Sequence, residues 1–180
     1  MRNLIPVFIT CVLMIVLLGA CNKDTVTKVS SSGTGSNTYF MKLAYNDTTL
    51  NFTDCSVSTV TQGSAPTQIL ISGYSFAKNV FGSQSFELDL MADIDSLKAG
   101  QVFPAATTIA QTHSMTLYFF PDSVRTYTTQ IANPIGSVTI TGVSSTEIKG
   151  TFNGGLYGWN DAYAIELNYT ITGGTFTAKR

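Results

Sequence analysis

Phe86-Glu87-Leu88-Asp89-Leu90 decides the fold. Large apolar side chains alternate with carboxylates at period two, the spacing of a strand that buries one face and wets the other. The same alternation returns in Val138 and Ile140 against Ser137, Thr139 and Thr141, and in Tyr163, Ile165, Leu167 and Tyr169 against Ala164, Glu166 and Asn168. Each of these runs is expected to bury one face. Less regular runs rich in β-branched and aromatic residues cover Tyr39 to Tyr45, Thr49 to Val60, Gln68 to Phe76 and Ser114 to Phe120. Helical signal is nearly absent. Nine or ten antiparallel strands at roughly 8–12-residue spacing predict an all-β fold, an antiparallel β-sandwich, with a partly closed antiparallel β-barrel as the alternative.

The connections carry their own signals. Asn46-Asp47 reads as a hairpin turn between the first two runs. Pro66, Pro104, Pro121 and Pro134 fall between runs, where a missing N–H removes no ladder bond. Thr146 to Tyr157 keeps its parity through Ile148, Gly150, Phe152, Gly154 and Leu156, so one continuous strand and a turn at Asn153-Gly154-Gly155 fit equally well. The phase breaks at Gly173-Gly174, which predicts a bulge or a tight turn. Asp93 to Ala99 is the one helical candidate, a turn or two ending at Gly100.

Ahead of this domain, Leu4 to Leu18 is almost continuously apolar behind Met1-Arg2 and closes in Leu18-Gly19-Ala20-Cys21. A membrane-spanning helix needs about 20 apolar residues, and this run is shorter and ends in small residues, as signal-peptide cores do. The closing stretch resembles the lipobox of bacterial lipoproteins. The resemblance implies that residues 1–20 are a signal peptide, and that Cys21 becomes a lipidated N-terminus carrying three acyl chains. Several chains anchor durably where one binds reversibly. Residues 22–37 are rich in Ser, Thr and Gly without apolar periodicity, a flexible tether with an r.m.s. span of roughly 20–24 Å. Residues 38–180 form the single all-β domain. Asn22, in place of the Asp that marks inner-membrane retention, implies the outer membrane, on its periplasmic or cell-surface side. Lys23-Asp24 is weakly similar to the charged surface-export tags of Bacteroidetes-type lipoproteins.

Gly136-Ser137-Val138-Thr139-Ile140-Thr141, Ile148-Lys149-Gly150-Thr151-Phe152 and Ile171-Thr172-Gly173-Gly174-Thr175-Phe176 resemble the C-terminal half of small uncharacterised Bacteroidetes-type lipoproteins. That resemblance implies the all-β domain and the envelope location and transfers no chemistry. Composition narrows the partners. Charged residues make up 12% of the chain, half the usual share, and net charge is −1, so Thr, Ser, Asn and Tyr must cover most of the surface. No basic run exists to neutralise phosphates, which argues against nucleic acid. With Cys11 in the leader and Cys21 lipidated, Cys55 stands alone and is expected to pack as a small hydrophobe.

No catalytic constellation emerges. His113 is the chain's one histidine, and no G-x-S-x-G or other nucleophile motif accompanies it. One His and one free Cys fall short of a zinc site. Glu87, Asp89, Asp93 and Asp95 offer oxygens for Ca²⁺, but their spacing misses the EF-hand loop, and a solvated strand face explains them as well. No metal or cofactor is expected, and the protein reads as a non-enzyme. The candidate binding residues are Tyr157, Trp159, Asn160, Asp161 and Tyr163, which gather the chain's one Trp and two Tyr beside an amide and a carboxylate. Such faces suit stacking on sugar rings, although aromatics at a hairpin end more often fold back over the core. Asp24-Thr25-Val26, Asp47-Thr48-Thr49, Asp95-Ser96-Leu97 and Asp122-Ser123-Val124 resemble the O-glycosylation acceptor of Bacteroidetes-type secreted proteins, and Asp before Ser or Thr is also ordinary turn chemistry. The expectation is a membrane-anchored binding or envelope-interaction module, glycan being one partner. A structural accessory lipoprotein docking another envelope protein is the alternative.

Overall fold

The computed structural model describes residues 38–61, 67–75, 84–108, 111–129 and 132–180. The leader, Cys21, the tether, Asp24-Thr25-Val26, Pro66 and Phe76 lie outside these residues. The described chain folds into β1 (Phe40–Tyr45), β2 (Thr48–Phe52), β3 (Asp54–Val60), β4 (Gln68–Tyr74), β5 (Ser85–Met91), β6 (Val102–Pro104), β7 (Met115–Phe120), β8 (Tyr127–Thr128), β9 (Gly136–Val143), β10 (Glu147–Trp159) and β11 (Ile165–Lys179).

Two antiparallel layers face each other. One runs β2-β1-β11-β10-β9-β6 and the other β3-β4-β5-β7-β8. Single-residue bridges join their edges into one mixed sheet: Lys179 to Ser56 in parallel, Tyr157 to Thr128, and Ala105 to Met115 in parallel. The ladders lie within the layers, so the architecture is the expected sandwich, stitched at its margins.

Inward-facing positions fill the space between. Phe86, Leu88 and Leu90 are fully buried, as their alternation predicts, and so are Val138 and Ile140. Phe86 stacks on Phe152 across the layers with ring centroids 5.4 Å apart. Gly73 of β4 allows close approach, since a Cβ there would stand 3.0 Å from Phe52 and 3.1 Å from Met41. Between β10 and β11 the packing is reciprocal. Gly150 pairs with Phe176 and Gly174 with Phe152, so each strand lays a ring over the other's glycine. Cys55 is buried among these side chains, and burial pushes its thiol pKa well up.

Some details follow the sequence expectation and others depart from it. Thr49 to Val60 is two strands, broken at Thr53, whose N–H donates to the Tyr74 carbonyl. β6 and β8 are too short to show a period, and Pro104 closes edge strand β6 instead of lying between strands. Of the two readings of residues 146–157, the continuous strand is the one formed. The phase break near Gly173 is a bulge inside β11, where the register against both β1 and β10 shifts. Asn46 and Asp47 both adopt positive φ, 42° and 60°, the geometry of a tight hairpin turn. Asp93 caps a single 3-10 turn at Ile94–Ser96, and Gly100 turns the chain away with φ of 89°. The largest departure concerns Tyr163 to Tyr169. Period two breaks at Asn168, where the register against β10 shifts: Ile165 and Leu167 are exposed, as is Tyr163 in the turn before them, and Tyr169 alone packs against the core.

Candidate functional site

That projecting end of the β10–β11 hairpin is an arm with two different faces. Directly opposed residues of an antiparallel pair share a face. Tyr157 opposes Leu167 and Trp159 opposes Ile165 on one face, while Gly158 opposes Glu166 and Leu156 opposes Tyr169 on the other.

The second face roots the arm. Gly158 lies beneath the Tyr127 ring, with its missing Cβ position 2.5 Å from Tyr127 Cδ1. Tyr169 meets three rings edge-on: Tyr127 at 4.9 Å, Tyr45 at 5.1 Å and Phe119 at 5.7 Å between centroids. Edge-to-face contacts of this kind are favourable beyond the area they bury. Burial, then the neighbouring Tyr127, raise the Tyr169 phenol pKa.

The first face is apolar and, apart from buried Tyr157, open. Trp159 is 70% exposed, Ile165 47% and Leu167 46%. Gly155 lies below, where a Cβ would stand 2.9 Å from Leu167 Cδ1 and 3.5 Å from Ile135 Cβ, so Ile135 extends the same patch from the segment before β9. Five of the eight large apolar residues exposed in the described chain, Ile135, Trp159, Tyr163, Ile165 and Leu167, belong to this arm or its flank. Scattered exposure is ordinary, whereas a cluster of this kind marks an interaction surface.

The turn at the tip is locked. Asn160 Oδ1 accepts from the Ala162 and Ala164 N–H groups, and its Nδ2 donates to Glu166 Oε2 at 3.0 Å. The Tyr163 N–H donates to the Asn160 carbonyl, and Tyr163 sits at φ of 57° with its side chain 86% exposed. The five sequence candidates therefore separate. Trp159 and Tyr163 stand in solvent with exposed Asp161 between them, Asn160 spends its amide on the turn, and Tyr157 is buried with its hydroxyl accepting from Asn133 Nδ2 at 2.9 Å. Ile135, Ile165 and Leu167 escape sequence reasoning, because their meeting depends on strand register.

The other candidates sit apart. Glu87 accepts from Ser72 Oγ, and Asp89 beside it is pushed up to about 6 by burial and then by the Glu87 charge. Asp93 accepts from the Asp95 N–H, and Asp95 pairs with Arg180 at 2.6 Å. Among the described residues no three His, Cys, Asp or Glu side chains gather as a metal would require. The exposed His113 ring lies 4.6 Å from Phe103, at positive φ. Of the Asp-Ser/Thr triplets, Asp47 is in the first hairpin turn, Ser96 donates to the Asp93 carbonyl, and Asp122 accepts from the Val124 and Arg125 N–H groups beside exposed Ser123. No family model, curated protein or solved structure matches this chain.

Proposed function

We propose that the protein is a lipid-anchored, non-catalytic binding module of the outer envelope, held at the membrane through Cys21 and presenting the tip of the β10–β11 arm to a glycan. Membrane attachment rests on the signal-like leader and the lipobox-like ending at Cys21. The observation that carries the binding role is the exposure of Trp159 and Tyr163 on a turn fixed by Asn160. An aromatic face held in solvent on a rigid hairpin contributes little to the core and offers sugar C–H groups a stacking surface with little ordering to be done on binding.

A second reading has its own observation. Ile135, Ile165 and Leu167 add an aliphatic strip beside Trp159, which suits docking onto another envelope protein. Glycan-array binding and envelope co-purification of the detergent-solubilised full-length protein, each with wild type and Trp159→Ala, separate the two. Neutral-glycan capture lost in Trp159→Ala, with melting changed by no more than about 0.5 kcal/mol, is the expected result. A single co-purifying envelope protein lost in the same variant, with no glycan bound, supports the second reading. Capture of a neutral glycan that survives Trp159→Ala contradicts the first reading, and an envelope protein that still co-purifies with the variant contradicts the second.

A further inference from the structure

The outward face of the β2-β1-β11-β10-β9-β6 layer sinks into an open depression of about 490 Å³, lined by Lys42, Ser137, Thr139, Thr151, Asn153 and Thr175. Register builds its wall. Lys42 opposes Thr175, Thr175 opposes Thr151, and Thr151 opposes Thr139, so one row of four polar side chains crosses β1, β11, β10 and β9 on the same face. Neighbours in such a row stand about 5 Å apart at Cβ. Asn153 and Ser137 form the next row, and there Ala44 faces Gly173 across β1 and β11, which leaves the hollow. The bulge of β11 adjoins this point.

We infer that this depression binds an acidic glycan, a uronate-bearing oligosaccharide whose carboxylate meets Lys42 and whose ring hydroxyls meet the Thr, Ser and Asn side chains. Three observations lead there. Among the described residues, no hydrogen bond or ion pair within the protein engages the polar groups of these six side chains; Lys42, like Lys98 and Lys179, has no carboxylate partner, and it is the one of these three that lines the depression. No carboxylate lines the depression, so Lys42 gives it a single unopposed positive charge. The four strands are paired here, and their backbone groups are committed to ladders, so a peptide has no free edge to extend. Hydroxyls and a carboxamide both donate and accept, as a sugar diol requires. The volume falls within the range of small-molecule sites.

The site is distinct from the arm platform, since Asn153 precedes Trp159 by roughly 20 Å of strand. The test titrates detergent-solubilised full-length protein with oligogalacturonate, oligoglucuronate and alginate oligomers, and with the methyl ester of each, which keeps the rings and removes the charge. At least one acid should bind about tenfold more tightly than its ester, and added salt should weaken it. Lys42→Ala should abolish that preference, Thr151→Val should weaken acid and ester alike several-fold, and both variants should melt as wild type does. Trp159→Ala should leave uronate binding unchanged. Failure of every uronate to bind, equal affinity for acid and ester, insensitivity to Lys42→Ala, or loss in Trp159→Ala alone would each overturn the inference.

Discussion

Gly150 and Gly174 show how single atoms set the core of this protein. An ideal Cβ on Gly150 would stand 2.5 Å from the Phe176 ring, and one on Gly174 would run into Phe152, which is itself buried and stacked on Phe86. Gly174→Val must therefore displace a core ring. Overpacking of this sort costs about 1–3 kcal/mol, so chemical denaturation should show a loss of that size. Val is a good strand former, and an unchanged or raised midpoint would refute the packing argument. Asp89 provides a second residue-level prediction. Its pKa rises from 3.8 to about 6, so folding favours the protonated acid: its contribution is full below pH 4 and is lost as pH climbs through 6. Asp89→Asn should flatten the fall in melting temperature between pH 4 and 7, and an identical profile in the variant would contradict this. At this scale Cys55 was legible, as an isolated thiol in a β-rich stretch. Trp159 was not, because aromatic residues at a hairpin end either cap a core or leave it, and composition is the same in both cases.

Among the elements, the β10–β11 hairpin shows where sequence patterning succeeds and where it stops. Parity through Ile148, Gly150, Phe152, Gly154 and Leu156 is realised as one buried face of β10. Tyr163 to Tyr169 alternates as cleanly in sequence, and yet only Tyr169 reaches the core, across a register shift at Asn168. Period two states that a strand has two unlike faces, and only the length of the partner strands decides how much of it finds something to pack on. The same gap hides the row Lys42, Thr175, Thr151 and Thr139, whose members come from four strands and are joined by register alone. The arm itself depends on Gly158 beneath Tyr127. Gly158→Val should lift that ring, loosen the Tyr45, Tyr127 and Tyr169 cluster, and speed amide exchange from Tyr157 to Asn168 while exchange at Ile148 to Phe152 stays slow. Uniform acceleration along both strands would mean that the arm and the sandwich open together.

For the molecule as a whole, scarcity of charge is the organising fact. Charged residues are 12% of the chain, and solubility falls to Thr, Ser and Asn, whose hydroxyls and amides cover the outward sheet face where the polar depression lies. Sandwich architecture followed from strand number and spacing, but the stitched margins did not, since each rests on one residue pair. The proposed envelope placement rests on residues 1–37, through the apolar leader and Cys21. Intact mass and N-terminal sequence of the native, detergent-extracted protein test that claim most directly. A chain beginning at Cys21 and heavier than its polypeptide by three acyl chains and their glycerol is the predicted result. A native chain that still begins at Met1, or a Cys21 without lipid, would contradict the account.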